Sequence, residues 1–327
     1  VVKGVQATRE YYIAMIPLKM ISKLFPQEDE YVLPEYRAQR KLNTARIPVI
    51  SKYILNNRES YVFSALAASI DGQFKFCPSE YPDVLLEISM DAKLLINDGQ
   101  HRKAAILEAI SEDESLLNET ISVVFFEDQG LARSQQMFTD LNKHAVKTSN
   151  SIAELYDSRD QLAVVTRNVI SKIKFLNAYT DKEKDILGKY SSNLFTLSTF
   201  YNANKRIIRS APITKENEMF WSCVCQNILP WNDLYNHNIS KVDLRENYIV
   251  TQAVIIQVLG RLGYYFFANK NYSIESYLCN LQGINWKRDC DDWKLRTIRA
   301  NGRMINNEEA ITLTCNVLKG YLCLPLD

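Results

Sequence analysis

The chain has 327 residues, 46% hydrophobic and 24% charged, with 39 Lys and Arg against 38 Asp and Glu. That is enough for two domains or one large one, and ordinary for a globular protein that buries a full core. A net charge of +1 excludes a field drawing the whole protein onto nucleic acid or an anionic membrane, so any nucleic-acid contact must come from a local patch.

Nothing is drawn from residues 1–3. Residues 11–17 (Tyr-Tyr-Ile-Ala-Met-Ile-Pro) predict a first strand, and 18–25 a short amphipathic turn or helix ending at Pro26. The acidic, Pro-containing stretch 27–34 predicts a loop. Pro48 suits a first helical turn, after which Val49, Ile50, Tyr53 and Ile54 give an apolar helical face. The apolar run 61–70 predicts a buried strand stopped by Asp71-Gly72 in a hairpin-type turn, with 74–76 as the return strand. Residues 84–90, 94–96 and 121–126 predict three more strands.

Between the last two lies Asn97-Asp98-Gly99-Gln100-His101-Arg102, followed by a helix with Ala105, Ile106, Ala109 and Ile110 on one face. The polar residues therefore fall on a turn from strand to helix. Asp98 can cap that helix, Gly99 permits a tight turn or close approach of a ligand, and His101 and Arg102 occupy a first turn whose amides lack intrahelical partners. Helix start and guanidinium together favour an anion such as phosphate. The same residues also fit a plain capped and solvated first turn.

A second polar stretch follows in 134–148. A helix through Met137, Phe138 and Leu141 ends near Asn142 and leaves Asn142, Lys143, His144 and Lys147 on a loop that could donate to the same phosphate. Those cations also fit a helix C-terminus, where they complement the dipole. Past Asp160 the pattern turns helical: 161–176, 194–208 and a helix from 214 to 229 before Pro230, with 181–190 as a polar connection. The longest apolar segment, 246–268, is interrupted by Thr251, Gln252, Gln257 and Arg261, which predicts a buried core helix rather than a membrane span. Arg296, Arg299 and Arg303 predict a helical basic stripe able to follow a phosphate backbone. Gly302 ends that helix, and Asp289, Asp291 and Asp292 offset its charge, so an ion-paired face competes with a DNA contact.

The seven Cys are odd in number and scattered, with no secretory signal ahead of them, which fits a reducing cytoplasm. Cys223 and Cys225 sit among apolar residues and read as buried thiols, since no second Cys/His cluster completes a zinc site. No metal site is assigned. There is no internal repeat, low-complexity tract, Walker A sequence or evident helix-turn-helix.

Three motifs in order, Ile96-Asn97-Asp98-Gly99-Gln100-His101-Arg102, Phe138-Thr139-Asp140-Leu141-Asn142-Lys143-His144-Ala145-Val146-Lys147 and Leu155-Tyr156-Asp157-Ser158-Arg159-Asp160, resemble the DndB family. These are the DGQHR-domain proteins of bacterial DNA phosphorothioation gene clusters. The resemblance also takes in Gln39-Arg40-Lys41-Leu42-Asn43, Arg46 and Tyr53-Ile54-Leu55, and so covers the first half of the chain. It implies a cytoplasmic bacterial regulator acting on promoter DNA rather than sulfur-transfer machinery. More distantly, Gly99-Gln100-His101-Arg102-Lys103-Ala104-Ala105 is similar to the Gly-x-x-Arg-x-x-Ala box of the ParB and sulfiredoxin superfamily, which opens a helix and meets phosphates. Asp140-Leu141-Asn142 sits where ParB-like domains carry their second box. Gln100 stands in place of the sulfiredoxin cysteine, so sulfinic acid reduction is not expected.

The expected fold is α+β: a ParB-like mixed α/β domain over 1–150 packed on a mostly helical domain over 151–327. At the expected phosphate or nucleotide site, Gly99 and the amides of Gln100 and His101 cradle the phosphate, Arg102 neutralises it, and Asp98 fixes the turn or holds a divalent ion. Asn142, His144 and Lys147 close the site, with Arg40 and Arg46 as further donors. Arg296, Arg299 and Arg303 are the DNA-backbone candidates.

The leading function is a DNA-binding transcriptional regulator of a phosphorothioation cluster. It would be a homo-oligomer on promoter DNA, working beside other phosphorothioation proteins, with a nucleoside triphosphate and divalent ion as the cofactor that would tune it. The alternative is a nucleotide hydrolase or DNA-nicking enzyme of ParB-like fold, for which Asp98 and His101 are base candidates by type. A scaffold for the modification proteins is the third reading.

Overall fold

The clearest period-two pattern in the sequence, Thr120–Glu127, buries Ile121, Val123 and Phe125 on one face and becomes the middle strand of a sheet. The computed structural model describes residues 1–26, 42–77, 84–128, 130–143, 148–188, 190–208 and 214–327. The chain divides into two units, Val1–Val146 and Lys147–Asp327.

In the first unit, β1 (Val2–Gln6) and β2 (Arg9–Pro17) form a hairpin, followed by the short α1 (Ile21–Leu24) and by α2 (Ile47–Asn56). β3 (Leu66–Asp71), β4 (Phe74–Cys77), β5 (Leu85–Ile88) and β6 (Lys93–Asp98) come next. Then α3 (Gln100–Glu112), β7 (Thr120–Glu127) and α4 (Leu131–Lys143) complete the unit. The sheet order is β1-β2-β7-β3-β6, with β3 parallel to β7 and every other pairing antiparallel, while β4 and β5 pair separately.

Most predicted strands and helices of this unit are present, with three differences. Val2–Gln6, from which nothing was drawn, is an edge strand. The turn at Asp71-Gly72 does not fold β4 back onto β3. Five consecutive β3 residues are buried, and both edges of the strand are already taken by β7 and β6. Val49, expected on the apolar face of α2, is exposed, whereas Ile54 of that face is buried. The loop expected at 27–34 lies outside the described residues.

The second unit is mostly helical: α5 (Asn150–Tyr156), α6 (Gln161–Lys172) and α7 (Lys174–Tyr179), then the two-residue strands β8 (Thr180–Asp181) and β9 (Phe195–Thr196). After these come α8 (Leu197–Ile207), α9 (Thr214–Asn227), α10 (Leu229–Tyr235), α11 (Lys241–Asn247), α12 (Ala253–Ala268), α13 (Ile274–Leu278) and α14 (Glu308–Tyr321). The helix expected over 161–176 breaks at Ile173, whose extended backbone restarts it as α7. Pro230 opens a helix rather than ending one, because a proline in the first turn forfeits no hydrogen bond.

All four tryptophans lie in this unit and are buried, Trp286 stacked on Trp293 at 5.6 Å and Trp231 on Phe175 at 5.2 Å. Each such pair contributes about 1 kcal/mol beyond its area burial. Cys223 and Cys225 are buried free thiols on α9, and burial raises both thiol pKa values. Asn204 on α8 holds a buried polar network, accepting from the Trp221 indole at 2.7 Å and the Asn217 amide at 3.1 Å and donating to Thr166 Oγ1 at 3.0 Å. The apolar segment around α12 is a 16-residue core helix, and among the described residues no helix is long and apolar enough to cross a membrane.

Candidate functional site

The strand-to-helix turn of the first unit is shaped by an irregularity in β6. Ala67 faces Asp98 across the ladder and Ala68 faces Ile96, so Asn97 is an extra residue with no opposite number. The bulge breaks the in-out alternation, and Ile96 and Asn97 are both buried. The Asn97 amide donates to Ser69 Oγ at 2.5 Å and lies 3.3 Å from Met137 Sδ, tying the strand end to α4, while its Oδ1 is buried without a partner.

Gly99 is the residue that turns the chain. It occupies the cap position of α3 with φ at +102°, a backbone region L side chains rarely adopt. Asp98, expected as the cap, does not cap; its carboxylate accepts from Arg102 at 2.6 Å. Asp98 ends β6 and Arg102 lies in the first turn of α3, so the pair closes over the Gly99 turn. The other end of the guanidinium donates to Ser64 O and Ser64 Oγ at 2.6 Å each and to Ala65 O at 2.7 Å.

Arg102 thus latches the extended segment before β3 to the turn, and its side chain is only 17% exposed. Its bonds are made within the chain, so an anion at this turn meets first the amides of the α3 start, and reaches Arg102 by displacing Asp98. Asp98 engages Arg102 through Nη2 alone, so a phosphate oxygen could take over that one bond while Nη1 stays on Ser64 and Ala65.

His101 Nε2 accepts from the backbone N–H of Asn43 at 3.0 Å. This bond docks the Thr44–Arg46 turn, which carries the exposed Arg46, onto the start of α3. Asp98, Gly99, Gln100, His101 and Arg102 are therefore brought together with the Arg46 segment. Asn142 is in the last turn of α4, and its side chain, Arg40, His144 and Lys147 lie outside the described residues.

The basic stripe in the second unit is corrected by the structure. Arg296, Arg299 and Arg303 are not on a helix: only Asp291–Trp293 forms a 3-10 turn there. Leu295 takes φ at +59°, and Ile298 bridges to both Lys294 and Met304. Regular helix cannot pass such a residue. Arg296 is half-buried and donates to Asp292 O at 3.1 Å, whereas Arg299 and Arg303 are exposed on a tight turn closed by Arg299 N–H donating to Arg303 O at 2.9 Å. Spacing by three and four residues suggested a helix face; here a turn brings together only Arg299 and Arg303.

The third motif, 155–160, is a corner between α5 and α6. Asp160 caps α6 through the amides of Leu162 and Ala163 and accepts from Tyr201 Oη at 2.6 Å. Arg167 donates to the carbonyls of Glu154 and Asp157. Glu154, next to the motif, has one buried oxygen without a partner, while the other accepts from Ser198 Oγ at 3.2 Å. Burial raises its carboxyl pKa to about 7, opposed by the Ser198 bond and reinforced by Asp185 and Asp160.

Between pH 4.5, the ordinary value for Glu, and 7 the native state keeps a proton that the unfolded chain has lost, so stability falls as pH rises through that window. Glu154→Gln is expected to match the parent at pH 4 and to melt about 2 °C higher at pH 8 by calorimetry. Equal melting points at both pH values would refute the assignment.

A protein-family model described as DndB, DNA-sulfur modification-associated, matches residues 1–325. No curated protein and no solved structure gives a match to the chain.

Proposed function

The chain belongs to the DndB family of DNA-sulfur modification-associated proteins, and from that premise we propose that it is a DNA-binding transcriptional regulator of a phosphorothioation gene cluster, contacting a DNA phosphate at the Asp98–Arg102 turn. The observation that carries this reading is the docking of the Arg46 segment onto the α3 start through His101. It sets an exposed guanidinium in the segment held against helical amides that need an anion. Asp98 is the resident acid, and a phosphate takes its place on Arg102. Arg299 and Arg303 are further candidates for backbone contacts, which position a protein on DNA without reading sequence.

The ParB-like character of the first unit is part of the same proposal, as are promoter DNA and the other phosphorothioation proteins as partners. The hydrolase reading draws less from the geometry. As base, Asp98 would first have to release Arg102, and His101 would have to release Asn43.

The test is fluorescence anisotropy on a promoter fragment over a range of salt. Asp98→Asn, which removes the negative charge paired with Arg102, should bind more tightly than the parent, and Glu112→Gln on the exposed far end of α3 should not. Arg46→Ala should bind several-fold more weakly, with a log-log salt slope lower by about 0.9 for one lost phosphate contact. If Asp98→Asn and Arg46→Ala both match the parent, the turn does not hold a DNA phosphate.

A further inference from the structure

A polar cavity of about 620 Å³ opens in the second unit, remote in sequence from the turn discussed above. Its volume is that of a small-molecule site. Its walls are unusual for one in being made of hydroxyls, amides and charges: Thr196, Ser198 and Gln257, all buried, and the exposed Asn202 and Lys205. Such walls do not attract an apolar ligand, because their polar groups would lose water without gaining hydrogen bonds.

The charges around the cavity are unequally committed. Arg206 is held rigidly, donating to Gln257 Oε1 at 2.8 Å and to Glu308 at 2.9 Å, so these two opposite charges largely cancel. Asp185 accepts from the amides of Asn150 and Ser151 at 2.8 Å each. Among the described residues Lys205 has no hydrogen-bond or ion-pair partner, so its exposed ammonium is an uncommitted cation on the wall. Three helices of 11, 16 and 14 residues also begin at the cavity, α8, α12 and α14. Thr196 caps the first and Asn307 the third, but α12 has no side-chain cap, and its first residue, Ala253, lines the cavity. The Ile255 N–H donates to Gln252 O at 2.9 Å, so the leading amides left to a ligand or to water are those of Ala253 and Val254.

We infer that this cavity binds a phosphate-bearing small molecule of mononucleotide size. The phosphate is held by Lys205 and the uncapped start of α12, and the hydroxyl and amide wall of Thr196, Asn202 and Gln257 meets the hydrogen-bonding body of the ligand. The site lies within the second unit and does not depend on the DNA contact proposed for the first.

Isothermal titration of the full chain with AMP, inorganic pyrophosphate and adenosine tests this. AMP should bind saturably, pyrophosphate should compete, and adenosine should bind at least about tenfold more weakly because it lacks the charge-assisted bonds. Lys205→Glu and Ala253→Glu, both at exposed positions that should not disturb folding, should each weaken AMP by a similar factor. The inference is overturned if neither AMP nor pyrophosphate gives saturable heat at millimolar concentration, or if both variants bind AMP like the parent. It is equally overturned if AMP binding is lost in Asp98→Asn and kept in Lys205→Glu, which would put the nucleotide at the turn. DNA affinity on the same samples reports the first unit separately, so failure of one reading is not failure of the other.

Discussion

Gly99→Ala is expected to destabilise the first unit by about 3 kcal/mol and to dismantle the Asp98–Arg102 turn. Two costs add. A residue with a Cβ held at a φ of +102° costs about 1–2 kcal/mol. The new methyl would also lie 2.4 Å from Leu66 Cδ2 and 3.3 Å from the Arg102 guanidinium, and overpacking of a fixed core typically costs a further ~1–3 kcal/mol. Leu66 is fully buried at the start of β3 and cannot swing away, so the backbone must move, taking with it the Arg102 latch to Ser64 and Ala65.

Gly130 provides the control. Its φ is +93°, but a Cβ there meets nothing within 4 Å, so Gly130→Ala should carry only the conformational cost of about 1–2 kcal/mol. Because every tryptophan lies in the second unit, indole fluorescence will not report this change. Hydrogen exchange of the β3, β6 and α3 amides will. Protection in Gly99→Ala equal to that in Gly130→Ala would show that the turn tolerates a side chain and that its geometry is not what holds Arg102.

Asn204→Leu should destabilise the second unit by about 4 kcal/mol, although the two side chains are similar in volume. The substitution removes the acceptor shared by the Trp221 indole and the Asn217 amide and the donor to Thr166 Oγ1, all in the core. A buried polar group stripped of its partner costs about 1–3 kcal/mol, and at least two are stripped here. Among the described residues Asn217 Oδ1 has no hydrogen-bond partner, so it is the one acceptor nearby that could replace Asn204, and only if the Asn217 amide turns toward the indole. Urea unfolding followed by tryptophan fluorescence measures the effect directly. Trp221→Phe, which removes only one donor, should cost about 1 kcal/mol through the lost bond plus its packing change, and the double variant should cost less than the sum. A loss below about 1 kcal/mol in Asn204→Leu would mean that water or a rearranged Asn217 replaces the acceptor.

The two predictions differ in how far the sequence anticipates them. Gly99 stands out in a row of polar residues between an apolar strand and an apolar helix face, and local stereochemistry alone requires a small residue there. Asn204 gives no such signal, because its partners are 13, 17 and 38 residues away on other helices.

Properties set by neighbours in the chain were readable in order along it: the strand alternation of 121–126, the helix face of Ala105, Ile106 and Ala109, the proline in the first turn of α2, and the turn joining β6 to α3. These depend on backbone sterics and on apolar spacing, which a linear string carries in full. The motifs that resemble the DndB family are equally linear, and the family match spans residues 1–325.

Tertiary structure decided the rest. Arg102 was expected to face a ligand, but Ser64, 38 residues earlier, supplies two of its acceptors and Ala65 a third, since the segment before β3 runs beside the turn. Asp98 pairs with Arg102 rather than capping because Gly99 has taken the cap. The arginines at 296, 299 and 303 keep helical spacing on a segment that Leu295 at positive φ and the bridges of Ile298 to Lys294 and Met304 fold into turns instead. The Glu154 carboxyl pKa is raised by burial under contacts that no local pattern announces, and the cavity beside Ser198 exists only where the starts of α8, α12 and α14, distant in sequence, come together. Sequence determines what each residue can do within a turn or two of its own backbone. Burial, ion-pair partners and cavities arise from which segments meet, and that depends on the free energy of the whole packed unit.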